Sequence, residues 1–225
     1  MLLRTILIAP LAATLLFGGK EEDDRLNNAA GMFEEIMGIK DKEIPQDLLD
    51  RAACAVLVPS LKKGAFIFGA KYGRGFVVCR KKDGAGWSAP GAVRVEGGSF
   101  GLQIGGSETD VVMLVMNERG ATRLLSSKFT IGGDASAAAG PVGRTASAET
   151  DATMRAEILT WSRARGVFAG ISLQGATLRP DREAILGLYG KEMSNKDIVQ
   201  GDIAAPASAE KLLGLLNKYS SRGTK

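Results

Sequence analysis

The alternation of apolar and polar residues from Trp87 to Met116 predicts the centre of a β-sheet. Apolar residues alternate with charged residues at 93–96 and with glycine or glutamine at 100–105, which is the period of a strand with one buried face. Residues 111–116 are apolar throughout, as expected of a strand that is buried on both faces. Because glycine pairs separate these three runs, the pattern predicts an antiparallel meander of three strands.

Further patterns on both sides of this stretch predict more strands and a set of helices. Short apolar runs predict strands at 55–58, 65–70, 75–80, 158–162 and 167–173, with a turn at 72–75. Helical spacing of apolar residues predicts helices at 25–37, 46–53, 121–127, 180–189, 194–199 and 208–219. In the first of these helices, the apolar face is expected to pack on the sheet through Leu26, Phe33, Ile36 and Met37.

The start of the chain has the layout of a secretory signal peptide. Arg4 precedes an apolar run from Thr5 to Phe17, and charged residues follow at 20–24. The run is too short to span a bilayer comfortably, and a buried N-terminal helix is the alternative. We therefore expect residues 1–19 to form a signal peptide or N-terminal anchor, residues 20–225 to form one domain, and the protein to be exported to the periplasm or cell envelope.

The composition excludes several kinds of active site. The chain has no histidine, which rules out Ser-His-Asp and Cys-His catalysis and histidine-bound zinc. Its two cysteines cannot form a four-thiolate metal site. No glycine-rich segment matches a dinucleotide-binding fingerprint or a P-loop. We expect a protein that is not an enzyme and holds no cofactor or metal.

The two cysteines, Cys54 and Cys79, flank predicted strands that could be neighbours. A disulfide is possible if the protein is exported. Buried free thiols are the alternative, and we favour them because sequence alone cannot test the geometry.

Positive charge is concentrated in one segment of the chain. Residues 61–82 contain no acid and seven cations, namely Lys62, Lys63, Lys71, Arg74, Arg80, Lys81 and Lys82. Aromatic residues are interleaved with them, a combination that suits anionic phospholipid. Nucleic acid is a weaker candidate because no recognition motif is present. Solvated lysines that protect an edge strand are the plain alternative.

A weaker enzymatic signal lies at the start of the same segment. Ser60 and Lys63 satisfy the Ser-x-x-Lys pattern of serine penicillin-binding enzymes. The partner motifs Ser-Asp-Asn and Lys-Thr-Gly are missing, so a serine hydrolase remains a minor hypothesis.

Several short motifs occur together in the order of a known family. They are the glycines at 69, 73 and 75, GWSAP at 86–90, GLQIG at 101–105, GPVGR at 140–144, GVFAGIS at 166–172 and LYG at 188–190. Over roughly residues 25–220 the chain resembles the SYLF domain, a lipid-binding module that is also called an actin-binding domain from its fungal members. No SH3 or FYVE domain accompanies it, so the chain looks like a bacterial exported member.

The resemblance implies a fold and a function. We expect an α+β single domain in which a curved antiparallel β-sheet or barrel is packed by N- and C-terminal helices. We expect it to bind anionic phospholipid without catalysis, and actin binding is not expected of an exported bacterial protein. The alternative is a structural or adaptor module that binds another envelope protein.

One feature departs from the family pattern. Eukaryotic members are thought to engage membranes partly through a basic N-terminal helix, whereas this helix begins with four acids at 21–24 and contains Glu34 and Glu35. Lipid contact is therefore assigned to the cations of 62–82, with Arg163 and Arg165. Candidates for an acyl-chain groove, each with core packing as the alternative, are Phe66, Phe68, Phe76, Trp87 and Phe168.

Overall fold

The computed structural model describes residues 16–39, 43–65, 68–82, 86–100, 105–141, 155–164, 167–168 and 173–220. The helices in these ranges are α1 Leu16–Gly38, α2 Gln46–Arg51, α3 Glu118–Leu124, α4 Arg182–Tyr189, α5 Asn195–Gln200 and α6 Glu210–Tyr219. The strands are β1 Cys54–Ala65, β2 Phe68–Cys79, β3 Gly91–Phe100, β4 Gly105–Val115, β5 Phe129–Thr130, β6 Ala137–Ala139, β7 Ile158–Ala164, β8 Val167–Phe168 and β9 Thr177–Pro180.

The strands form one curled sheet in the order β5-β9-β3-β2-β1-β4-β7-β6, with β8 paired to β7. Every pairing is antiparallel except that of β6 with β7. The two ends of this order, β5 and β6, are joined by the short segment 131–136, in which Ile131 and Ala135 form a bridge. The sheet must therefore bend until its two edges approach each other, and the expected curved α+β fold is confirmed.

The core lies where β1 and β4 cross the middle of the sheet beneath α1. Residues 54–58 and 111–115 are buried along their whole length, as predicted for the six-residue apolar run. α1 packs against α6, α4 and β1. Its residues Leu26, Phe33 and Ile36 are fully buried, so the predicted apolar face is confirmed. The helix begins at Leu16, nine residues before its predicted start.

The turn predicted at 72–75 is wrong, because β2 runs through it without interruption. These glycines instead allow a close approach of β2 to β1. A β-carbon on Gly73 would lie 2.7 Å from Leu61 Cδ1, and one on Gly75 would overlap the carbonyl oxygen of Leu57. Glycine in a strand often marks such an approach, and its sequence pattern is easily mistaken for a turn.

The bulge opposite these glycines explains why β1 continues past Pro59, where the sequence predicts its end. The β1 pairing shifts register between Leu57 and Lys62 on one side and between Val58 and Leu61 on the other. Ser60, inside the bulge, has a φ of 52°, in the left-handed region that residues with a side chain rarely occupy. The bulge absorbs the proline without ending the strand.

The predicted three-stranded meander is two long strands, β3 and β4. The glycine pairs at 97–98 and 105–106, which the sequence analysis takes as breaks, lie within these strands. The segment 101–104 between them lies outside the described residues.

The cysteines form a disulfide, so the expectation of free thiols is corrected. Cys54 and Cys79 are register partners on β1 and β2 and are covalently bonded. Their pairing depends on the alignment of two strands, which the sequence alone does not show.

Replacing both cysteines by alanine is expected to lower the free energy of unfolding by roughly 3–4 kcal/mol, because the bridge spans 25 residues of the unfolded chain. Urea unfolding measures this difference. Wild-type protein in reductant should unfold at the same urea concentration as the double variant. Equal stability of the oxidised and reduced wild-type protein would contradict the prediction.

Candidate functional site

The cationic segment of the sequence is divided by the fold into two groups at opposite ends of the β1–β2 hairpin. Cys54 pairs with Cys79 at one end, and Lys63 pairs with Lys71 near the other. Nine residues of strand separate Lys71 from Arg80, which corresponds to about 30 Å. We call the end at which Cys54 pairs with Cys79 the disulfide end. We call the other end, which is defined by Lys62, Lys63 and Lys71, the lysine end.

At the disulfide end, Arg80 binds parts of the fold that are distant in sequence. Its guanidinium donates to the carbonyl oxygens of Ser220, at 2.8 Å, and Leu49, at 3.0 Å. It also lies 4.0 Å from the ring centroid of Trp87, a cation–π geometry. Arg80 therefore holds the end of α6 against the sheet.

Lys81 and Lys82 are exposed beside Arg80. They line a cleft of about 720 Å³ that also contains the disulfide. The rest of its lining mixes apolar residues, such as Leu125 and Ile203, with acids such as Asp202. We call this the disulfide-end cleft.

Arg74, in the middle of β2, joins the sheet to two helices. Its guanidinium donates to both carboxylate oxygens of Asp181, one of them at 3.1 Å. It also lies 3.2 Å from Glu21 and 3.4 Å from Glu22, both on α1. Asp181 is in turn the N-cap of α4, accepting from the Ala184 amide at 3.3 Å. One side chain thus holds β2, α1 and the start of α4 together.

Two of the carboxylates around Arg74 are almost entirely removed from solvent. The side chains of Glu22 and Asp181 are 4% and 5% exposed. Burial raises the pKa of Glu22, and the nearby Arg25 and Arg74 oppose that rise. The hydrogen bond to Asp181 raises the pKa of Arg74 further above its usual value. Arg74 is therefore a fixed internal charge.

Arg163, on β7, likewise joins the sheet to α1. It donates to Glu35 of α1 and, at 2.9 Å, to Asp110 of β4. Asp110 also accepts the Ser60 amide at 3.0 Å, which fixes the bulge. Arg165 lies outside the described residues.

The lysine end places two cations directly opposite each other. Lys63 and Lys71 are register partners on adjacent antiparallel strands, and Lys71 is only 8% exposed. Burial, followed by the charge of Lys63, lowers the pKa of Lys71. Lys62 points to the other face of the sheet, as neighbouring strand residues do. Its side chain is 71% exposed and lies 3.8 Å from Glu108.

Of the five residues predicted to line an acyl-chain groove, the structure describes the side chains of two, and neither of them lines a groove. Phe76 and Trp87 are buried in the core, and the Trp87 indole donates to Ser220 Oγ at 3.1 Å. Core packing is therefore confirmed for both. Phe66 and the side chains of Phe68 and Phe168 lie outside the described residues.

Catalytic and metal chemistry gain no support from the geometry. Ser60 lies within the bulge of β1, and Lys63 lies beyond it beside Lys71. Within the described ranges, no group of three or more acidic or cysteine side chains is placed to hold a metal ion. None of the helices in those ranges has the length and apolar content to cross a membrane.

The acidic partners of the arginines are the part of this arrangement that sequence reasoning missed. It treated the α1 acids only as residues that an anionic surface would repel, whereas Glu21, Glu22 and Glu35 bind Arg74 and Arg163. An available signal was the excess of acid in 1–60 beside the excess of base in 61–82.

Taken together, the curled sheet and the helices packed against it define a single α+β domain. A family model described as "Ysc84: Las17-binding protein actin regulator" matches residues 96–219. The chain belongs to this family, the Ysc84 or SYLF domain family, so the resemblance is confirmed.

Named relatives agree with this assignment. The chain is 38% identical over 178 residues to an SH3 domain-containing protein of Schizosaccharomyces pombe, covering 77% of this chain and 41% of that protein. It is 35% identical over 189 residues to Protein YSC84 of Saccharomyces cerevisiae, covering 82% and 40%. It is 32% identical over 183 residues to SH3 domain-containing YSC84-like protein 1 of Homo sapiens, covering 81% and 53%. The chain thus spans about half or less of the length of these relatives.

Substituting Arg74 by alanine is expected to lower the free energy of unfolding by about 3–5 kcal/mol, because it removes the cation that binds the buried carboxylate of Asp181. Its register partner Arg94, which is 42% exposed and pairs with Glu96 at the surface, supplies the control. Arg94→Ala should change stability by roughly 0.5 kcal/mol or less. Chemical denaturation at neutral pH compares the two, and similar losses would show that Arg74 has no special role.

Proposed function

We propose that this protein is a non-enzymatic binder of anionic phospholipid that acts through its lysine end. The observation that carries the proposal is the cross-strand pair of Lys63 and Lys71, in which one cation is almost buried beside another. The same proposal places the protein outside the cytoplasm, in the cell envelope of a bacterium.

The pair is unfavourable in the isolated protein and becomes favourable beside an anion. Like charges directly opposite each other on a sheet are destabilising. A lipid phosphate close to Lys63 and Lys71 would offset the repulsion between their charges. Near an anionic surface each lysine contributes about 1 kcal/mol.

Charge elsewhere in the molecule supports the choice of the lysine end. Arg74, Arg80 and Arg163 are engaged in bonds that hold the fold together. The α1 helix is acidic, and its apolar face is buried in the core. It is therefore poorly suited to the membrane role of a basic N-terminal helix.

The disulfide supports export. Disulfides persist in oxidising compartments such as the periplasm and are rare in the cytosol. The Cys54–Cys79 bond is therefore in keeping with an envelope protein.

Replacing Lys63 by alanine and Lys71 by methionine is expected to weaken binding to phosphatidylglycerol vesicles by roughly thirty-fold, because two cations of about 1 kcal/mol each are lost. Co-sedimentation at fixed ionic strength measures the affinity. The control, Lys81→Ala with Lys82→Ala, removes the same charge at the disulfide end and should cost much less. Equal losses from the two double variants would contradict the assignment to the lysine end.

Lys71→Met alone is expected to raise the free energy of unfolding at neutral pH by about 0.2–1 kcal/mol, because it removes a like-charge pair. The pKa of Lys71 is lowered in the folded protein, so the unfolded chain holds this proton to higher pH. Wild-type stability should therefore rise relative to the variant as pH increases from the lowered pKa towards the ordinary value of 10.5. Denaturation between pH 7 and 10.5 tests this, and a constant difference would contradict it.

A second candidate function is an adaptor that binds another envelope protein through the disulfide-end cleft. Its volume of about 720 Å³ and its mixed lining of apolar, basic and acidic residues favour this function. Binding of this kind should survive delipidation and should be weakened by the Lys81/Lys82 variant rather than by the Lys63/Lys71 variant.

A further inference from the structure

Three arginines lie in one cross-strand row of the sheet. Arg74, Arg94 and Arg179 are register partners in succession across β2, β3 and β9, so their side chains project from the same face. Neighbouring strands are about 4.8 Å apart, which places the three residues within about 10 Å of one another. We call this the arginine row. Because like charges directly opposite each other weaken a sheet, the row needs anions beside it.

The first arginine of the row is already bound by an acidic helix. Glu21 and Glu22 of α1 lie 3.2 Å and 3.4 Å from the Arg74 guanidinium. The same helix binds a second arginine of the sheet, because its Glu35 pairs with Arg163. The fold therefore uses carboxylates on a helix to hold arginines that project from the sheet, and this internal contact indicates what kind of anion suits the rest of the row.

The other two arginines of the row share a single carboxylate. The side chains of Arg94 and Arg179 are 42% and 41% exposed. The Nε atom of Arg94 lies 2.9 Å from one oxygen of Glu96, and the Nε atom of Arg179 lies 3.6 Å from the other oxygen. In the part of the chain that the structure describes, neither guanidinium has another ion-pair partner. Two cations with one carboxylate keep a net positive charge.

The arginine row lies at the margin of the helix layer. On one side of it, Phe76 and Ala92 point to the same face of β2 and β3 and are buried, and α4 packs against β3. On the other side, Tyr72 is 48% exposed, so the sheet is uncovered there. Because a helix is about 10 Å across, the helix layer rises beside the row as a step. A rod-shaped partner fits into the angle of this step better than a flat surface does.

We infer that Arg94 and Arg179 form a docking site for an acidic α-helix of a partner protein. Carboxylate residues four positions apart on a helix have β-carbons about 5–6 Å from each other, which is close to the strand spacing of the row. Each carboxylate can accept two donors of one planar guanidinium. The inference goes beyond the proposed function, because it does not depend on lipid and concerns neither the lysine end nor the disulfide-end cleft.

The test uses two capped, alanine-rich helical peptides of about 20 residues, a length at which such helices form in water. The first carries two glutamates four positions apart. The second has the same composition, but its glutamates are two positions apart and face different sides of the helix. Fluorescence anisotropy at fixed ionic strength measures their binding to the full chain. The first peptide should bind at least ten-fold more tightly, and equal affinities, or no binding at millimolar peptide, would overturn the inference.

Variants of the protein test which residues bind the peptide. Arg94→Ala with Arg179→Ala should weaken binding of the first peptide at least ten-fold. Arg94→Lys with Arg179→Lys keeps the charge and the fold but lacks the planar donors, so it should bind several-fold more weakly than the wild type. The control, Lys81→Ala with Lys82→Ala, removes the same charge at the disulfide end and should bind normally. Equal losses from the two alanine variants, or wild-type affinity in the lysine variant, would contradict the inference.

Phosphatidylglycerol vesicles distinguish this inference from the proposed function. The Arg94/Arg179 alanine variant should bind vesicles as the wild type does, and the Lys63/Lys71 variant should bind the peptide as the wild type does. If the arginine variant loses vesicles and peptide alike, the arginine row belongs to a lipid surface and the inference is wrong. Wild-type protein that binds the peptide but no vesicles would refute only the proposed function, and the reverse result would refute only the inference.

Discussion

A half-buried guanidinium joins the separate layers of this domain. Arg74 projects from the middle of the sheet and binds Asp181, which starts α4, and the acids of α1. The buried carboxylates would be costly without their cation, so sheet and helices need one another to satisfy these charges. The glycines on both sides of Arg74 let β2 lie against the β1 bulge. The same short segment therefore shapes the sheet and binds the helices.

Arginine and lysine serve different purposes in this protein. Arg74, Arg80 and Arg163 each bind groups from more than one element, which suits a planar guanidinium with several donors. The lysines of the lysine end carry compact ammonium groups, which act as point charges rather than as planar forks of donors. A count of positive charge in the sequence does not separate these roles. The folded chain separates these roles in part, because the acids of α1 bind Arg74 and Arg163.

The sequence predicts features of this fold that depend on local periodicity. The buried face of α1 and the apolar run of β4 follow from the spacing of their own residues. The pattern around Gly73 and Gly75 predicts a turn, because the strand that requires these glycines lies beside them only after folding. The disulfide and the partners of Arg74 depend on residues 25 and 107 positions away, which no local pattern reveals. The sequence shows where positive charge is concentrated, but its division between two ends of the sheet follows from strand register.

Hydrogen exchange on vesicles tests most directly whether the lysine end is the surface that meets the membrane. Amide exchange would be compared for the protein alone, with phosphatidylglycerol vesicles and with neutral phosphatidylcholine vesicles. The account predicts slower exchange at 62–65, 69–72 and 105–108 with anionic vesicles only, and unchanged exchange at 79–82, 118–125 and 199–203. Protection confined to the disulfide end, or to α1, would contradict it.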